Sequence, residues 1–204
     1  MVGVSADMAT KGSNPLLCGK RVIIQPLYDC DLELVLEYYL RNQEHFAPTA
    51  SLQPKDFYTN AFWRERIQRA RAEWKEDTAY RFVLNISDTE QVIGTINLTQ
   101  VFRGAFQACY LGFGIDREYE GGGLMREGLE LVCDYAFGIL HLHRIMANHL
   151  IDNEKSARLL RRLGFQREGV AKDYLFVAGR WRDHVLNALV CTNGGDVMLS
   201  LIHI

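Results

Sequence analysis

Three consecutive glycines, Gly121, Gly122 and Gly123, run into Leu124 and Met125 at the start of an amphipathic stretch and carry the clearest chemistry in this chain. They follow the apolar and aromatic run Cys109-Tyr-Leu-Gly-Phe-Gly-Ile115, which reads as a strand. A strand that turns through glycines into a helix leaves several main-chain N–H groups free and aims the positive end of the helix dipole at one place. Such a place suits an anion, a pyrophosphate among the candidates. A nucleoside-triphosphatase loop would need Gly-Lys-Ser/Thr, and Gly123 is followed by Leu124-Met125-Arg126. A dinucleotide fingerprint would need a third glycine where Arg126 or Arg117 stands, counting from Gly121 or Gly112. What is left is Gly-x-Gly between a strand and a helix, a pattern that a plain flexible turn would also satisfy.

Further along, Asp152-Asn153 precedes a Leu-rich helical stretch and would serve as its N-cap with no ligand at all. Ser156 shares a helical face with Leu160 and Leu163, so its hydroxyl turns toward the core rather than out to water. It could equally be a small buried residue bonded to the preceding turn. Cys18, Cys30, Cys109, Cys133 and Cys191 form an odd set without a C-x-x-C pair, so neither a disulfide framework nor a zinc site is indicated.

The elements that must position these groups follow from periodicity. Arg21–Leu27 reads as a first strand. Leu32, Val35, Leu36, Tyr39 and Leu40 recur at helical spacing behind the candidate cap Asp29, and Trp63, Ile67, Ala70 and Trp74 repeat the pattern in a second helix. Residues 80–86, 91–98 and 107–115 read as an antiparallel meander, with Ser87-Asp88-Thr89-Glu90 as its first turn. A third helix places Met125, Leu129, Val132, Cys133, Ala136 and Leu140 on one side. A strand from His143 follows, then a helix over about 153–163, and two closing strands, 166–177 and 181–190, that meet at Ala178-Gly179. The order β-α-α-β-β-β-α-β-α-β-β, without repeat or linker, predicts one α/β (α+β) domain over residues 19–190.

A chain of 204 residues, 48% hydrophobic and 24% charged, is long enough to bury one real core. The net charge of −2, with no basic run, argues against general nucleic-acid affinity, and no DNA partner is expected. No apolar stretch approaches transmembrane length and residues 1–17 lack signal-peptide order, so a cytoplasmic protein with no membrane association is expected. Residues 1–18 read as a disordered extension. The apolar tail 191–204 is read as extraneous to the fold.

The glycine turn resembles the pyrophosphate loop of the GNAT N-acetyltransferases, whose ligand is acetyl-coenzyme A. The segment Asp152-Asn153-Glu-Lys-Ser156-Ala-Arg-Leu-Leu160-Arg-Arg-Leu-Gly-Phe165 is similar to the Asn-x-x-Ser helix of the RimJ/RimL branch, which acetylates ribosomal-protein N-termini. The stretches 103–112, 168–175 and 179–186 resemble the RimJ type, and the likeness runs from about Arg21 to Leu189. It implies a mixed, mostly antiparallel sheet flanked by about four helices. It also implies an acetyl-CoA-dependent enzyme acting on the N-terminal alanine of a small-subunit ribosomal protein, with the ribosomal particle a further possible partner, no metal, and a monomer or homodimer.

By the same resemblance, main chain from Glu120 through Gly121, Gly122, Gly123 and Leu124 to Met125 holds the pyrophosphate. Phe113 and Ile115 pair with the pantetheine arm, Asn153 touches that arm, and main chain between Leu111 and Ile115 meets the oxyanion. Where the family carries Gln or Arg three residues before the first glycine, this chain has Glu118, leaving Arg117 or Arg126 to assist the phosphates. For the acid, the resemblance offers Ser156, with Tyr174 as the alternative. For the base it offers Asp173, with Glu127 and His143 behind it. An α-amine of pKa about 8 is already roughly 10% neutral at pH 7, so it demands little of a base. Two other readings keep their place: an acetyltransferase of a small amine, and a non-catalytic ribosome-assembly binder.

Overall fold

In Val22–Pro26 every second residue is buried, as a strand with one covered face requires, and the same logic builds the rest of the sheet. The computed structural model describes residues 15–49, 52–87 and 89–192. Its strands are β1 (Leu17–Cys18), β2 (Val22–Pro26), β3 (Tyr80–Ile86), β4 (Val92–Phe102), β5 (Ala108–Ile115), β6 (Arg144–Met146), β7 (His149–Leu150), β8 (Gln166–Val177) and β9 (Arg180–Val190). Its helices are α1 (Leu32–Arg41), α2 (Gln43–Phe46), α3 (Asn60–Lys75), α4 (Leu124–Gly138) and α5 (Glu154–Arg162). Apart from the short β1, β7 and α2, this is the predicted order in a mixed α+β fold.

β1 to β5 pair antiparallel in sequence order. Among the described residues β5 and β6 form the one parallel pair, over Ala108–Tyr110 and Arg144–Met146. β6 and β7 lie along one edge of β9 in a single register, and β8 occupies the other. The β8–β9 hairpin turns through Ala178 and Gly179, both at positive φ (49° and 79°), the two-residue geometry that matches strand twist.

Helices cover both faces. α4 lies on one, where Met125, Leu129, Val132, Cys133 and Ala136 meet Ile24, Leu84 and Ile96. Gly128 allows the close approach: a Cβ there would sit 2.7 Å from a Leu84 methyl. α1 and α3 cover the other face with Val35, Tyr38, Trp63 and Ala70.

Three expectations need correction. The α1 cap is Asp31, whose carboxylate accepts from Glu33 N–H; Asp29 ends a short 3₁₀ turn before it. Tyr38, not Leu40, fills the inward position, because Leu40 sits in the last turn on the solvent side and is 49% exposed. Leu17 and Cys18, expected to fall within a disordered extension, form a strand that pairs with Ile24 and Ile23. Residues 1–14, Asp88 in the β3–β4 turn and most of the tail, 193–204, lie outside the described residues.

Candidate active site

The sheet forks at Tyr110. β5 stays paired with β4 up to Ile115, whereas its pairing with β6 stops at Tyr110 and Met146, after which β6 and β7 follow β9. Asp116 N–H donates to the Ile93 carbonyl, so even-numbered residues of β5 direct their main-chain groups to β4. The Gln107 carbonyl accepts from His143 and Arg144, consistent with odd-numbered residues facing the other way. Leu111, Phe113 and Ile115 therefore turn N–H and C=O into the fork, where no described strand pairs with them. A free strand edge of this kind pairs with an extended, amide-bearing ligand.

Both strands that bound the fork lead into helix N-termini. Beyond β5, Gly121 and Gly123 adopt φ of 78° and 79°, and Gly123 caps α4 without a side-chain bond. The first helical bond runs from Glu127 N–H to the Gly123 carbonyl. The N–H groups of Gly121 through Arg126 donate to no acceptor among the described residues. Six consecutive amides at a helix N-terminus make an anion cradle.

Beyond β7, Asn153 caps α5 by accepting from Ser156 N–H at 3.0 Å. The plain capping role is thus realised. Ser156 is half-buried, and its hydroxyl makes no hydrogen bond to another described residue.

Side chains fix the cradle in place. Arg21 donates to the Gly122 carbonyl at 2.9 Å and pairs with Glu127. Burial alone would raise the Glu127 pKa, but hydrogen bonds from Arg21 and Lys20 bring it below the ordinary glutamate value. Glu127 is thereby engaged as a strut. His143 is exposed and engaged through its main chain. Arg126 pairs with Glu130 at 2.8 Å, while Arg117 has no ion pair among the described residues. Glu120 pairs with Lys155 of α5 at 2.5 Å and lies 3.5 Å from His45, tying the two sides of the fork mouth together.

The loop is anchored by buried Asp116, which accepts from Arg41 at 2.5 Å and from Glu118 N–H at 3.0 Å. Asn42, 1% exposed, accepts from Arg117 N–H. Burial pushes the Asp116 pKa up, but bonds from Asn42 and Arg41 outweigh it and hold the carboxyl below its usual value. Removing one partner of such a pair costs about 3 kcal/mol, so Asp116→Ala is expected to lower the melting temperature clearly. Because the folded pKa is depressed, this contribution is full above about pH 4 and is lost as pH falls through the folded value. Melting curves between pH 3 and pH 7 check it: the gap between Asp116→Ala and the parent should close in acid.

At the vertex of the fork, Tyr174 of β8 brings its hydroxyl to 3.5 Å from that of Tyr110 and accepts from Asn148 Nδ2 at 3.3 Å. The contact with Tyr110, then burial, pushes the Tyr174 pKa up to about 12, so the phenol is protonated at neutral pH. Asp173 lies beside it at φ 46°, exposed, with its main-chain N–H bonded to Asp183 and its carboxylate bonded to no described residue. Tyr110 and Asn148 were missed in the sequence. A tyrosine inside Cys-Tyr-Leu reads as a strand aromatic, and the one available signal was an amide at the end of the apolar strand from His143.

Cys109 and Cys133 are buried, and burial raises both thiols to about 12. Neither is a thiolate at neutral pH, which disfavours an acyl-cysteine intermediate. Cys109→Ala and Cys133→Ala are expected to retain turnover, and mass spectrometry should find no acetyl-cysteine in the parent. An acetyl group trapped on either thiol would contradict this.

A forked sheet with a free edge on β5 and an amide cradle at the next helix defines an acetyltransferase of the GNAT class. The model of the acetyltransferase (GNAT) domain family matches residues 21–166, and the chain belongs to that family as an N-acetyltransferase. It is 38% identical over 169 residues to the [ribosomal protein uS5]-alanine N-acetyltransferase of Escherichia coli, covering 83% of this chain and 87% of that protein. The ribosomal-protein-S5-alanine acetyltransferase structure from Vibrio fischeri superposes with a TM-score of 0.84 at 32% identity, over 88% of this chain and 98% of the other. Mycobacterium smegmatis RimJ, in complex with CoA-disulfide, superposes with a TM-score of 0.78 at 27% identity, over 88% and 86% of the two chains.

Proposed function

We propose that this chain transfers the acetyl group of acetyl-CoA to the N-terminal α-amine of a ribosomal protein that begins with alanine. The observation that carries the reading is the run of unpartnered N–H groups from Gly121 to Arg126 beside the free edge of β5. The likeness to the E. coli and V. fischeri enzymes supports the acceptor. In this account the amides of Gly121 to Met125 hold the diphosphate, with Arg117 beside them. Phe113 and Ile115 pair with the two amides of the pantetheine arm, and the arm runs down the fork toward Tyr110.

The α-amine attacks the thioester carbonyl directly in a ternary complex. Leu111, innermost of the residues that face the fork, supplies an N–H to the developing oxyanion, a donor worth roughly 3 kcal/mol. As the C–S bond breaks, the Tyr174 hydroxyl gives its proton to the departing sulfur. The proton shed by the amine nitrogen restores the phenol through solvent. Ser156 stands second as acid, on its unbonded hydroxyl. Since about a tenth of an α-amine is neutral at pH 7, water suffices as base.

Thiol release from acetyl-CoA with short peptides that differ only in their first residue tests the reading. Alanine and serine starts should outperform the rest and all free amines. Preference for a free amine would move the acceptor class, and absence of thiol release with every acceptor would indicate a binder.

A further inference from the structure

We propose that Asp183 is a positioning residue: its carboxylate fastens the Asp173 N–H and so holds the bulge of β8 that carries Tyr174 to the vertex of the fork, and Asp173 serves through its backbone rather than its carboxylate. The inference rests on the reading of Tyr174 as the acid.

The register of the hairpin shows the device. From the turn inward, Val177 pairs with Arg180, Phe176 with Trp181 and Leu175 with Arg182, and the next pair is Ala171 with His184. Lys172, Asp173 and Tyr174 thus stand opposite Asp183 alone, where a regular ladder would place one residue. A bulge of this kind bends its strand and re-aims a side chain.

The re-aiming has a destination. β8 is separated from β5 by β9 and β6, and Tyr110 is level with Met146 and Ala188 whereas Tyr174 stands opposite Asp183, further along β9 toward the turn, so the two side chains reach each other both across and along the sheet. Their hydroxyls meet at 3.5 Å, with Asn148 from the β6–β7 junction donating to Tyr174 at 3.3 Å.

The bulge has a cost in backbone conformation, concentrated at Asp173, whose φ of 46° lies in the left-handed region that few side-chain-bearing residues adopt. Asp and Asn are among those that tolerate it. What secures the conformation is the 2.8 Å bond from Asp173 N–H to Asp183 Oδ1, made by a half-buried carboxylate on the facing strand. The Asp173 carboxylate is exposed and holds no described partner, as expected of a residue needed for its φ.

The role of the backbone and the role of the carboxylate separate by substitution. Asp183→Ala should lower kcat by about 100-fold, the scale that a misplacement of about 1 Å produces, with the KM for acetyl-CoA unchanged. Asp173→Gly added to Asp183→Ala should restore most of that loss, because glycine adopts positive φ without an anchor. Asp183→Asn keeps an acceptor oxygen and Asp173→Asn tolerates the left-handed region, so both should stay close to the parent. Asp173→Val should fall with Asp183→Ala. If Asp183→Ala does not fold, the Asp173→Asn and Asp173→Val pair decides alone. An inactive Asp173→Asn would make the carboxylate itself the working group and overturn the proposal, as would a fully active Asp183→Ala. Full activity of Tyr174→Phe would instead remove the acid reading on which the proposal rests.

Discussion

Gly122→Asp is expected to weaken acetyl-CoA binding by at least about 100-fold while leaving the fold intact. A Cβ at this position meets only the Tyr119 carbonyl, at 3.8 Å, which is ordinary contact, and the residue does not need the left-handed backbone that Gly121 and Gly123 adopt. The substitution therefore tests charge rather than shape. A carboxylate about 5 Å from a bound diphosphate costs about 3 kcal/mol at an effective dielectric near 20, and 1.4 kcal/mol is tenfold in affinity. It would also compete for the same amides. Calorimetric titration gives the affinity and a thermal melt the fold. Part of the loss should disappear at high salt, where the repulsion is screened. Unchanged affinity in a folded variant would mean that the cradle does not hold the phosphates.

Tyr174→Phe should lower kcat by about 10²- to 10³-fold, the range for a lost general acid, with the KM for acetyl-CoA little changed. Phenylalanine keeps the ring that packs 5.7 Å from His184, so the hairpin is preserved and only the hydroxyl is lost. Steady-state kinetics with an alanine-initiated peptide read both constants. A kcat equal to the parent's would shift the acid role to Ser156, whose own Ala variant would then carry the loss.

Much of this was legible because local chemistry and global fold agree. The glycine turn declares itself through residue type, since Gly121 and Gly123 need a backbone that other residues avoid. Helix α4 declares its buried side through spacing, and the Ala178-Gly179 turn through its dipeptide. The anchors of the site could not be read the same way. Arg41 and Asn42 end α1 and would pass for ordinary C-terminal residues, yet they hold Asp116 and Arg117 across a separation of 75 positions in sequence. Nothing local marks a pairing that exists only after the sheet has formed. Tyr174 was visible by resemblance, but its meeting with Tyr110 and Asn148 depends on where the sheet forks and on a bulge, neither of which hydrophobic alternation encodes. Asp173 shows the converse: the likeness suggested a base from residue type, and the geometry shows a left-handed backbone and a free, exposed carboxylate.

The most direct test of the central claim is to follow the amide resonances of Gly121 through Arg126 while coenzyme A is titrated into the isotope-labelled protein. The account predicts that these six signals shift together and saturate with the ligand, accompanied by those of Leu111, Phe113 and Ile115 on the open edge of β5. Saturable binding that left the six amides unmoved would place the cofactor elsewhere and contradict the account.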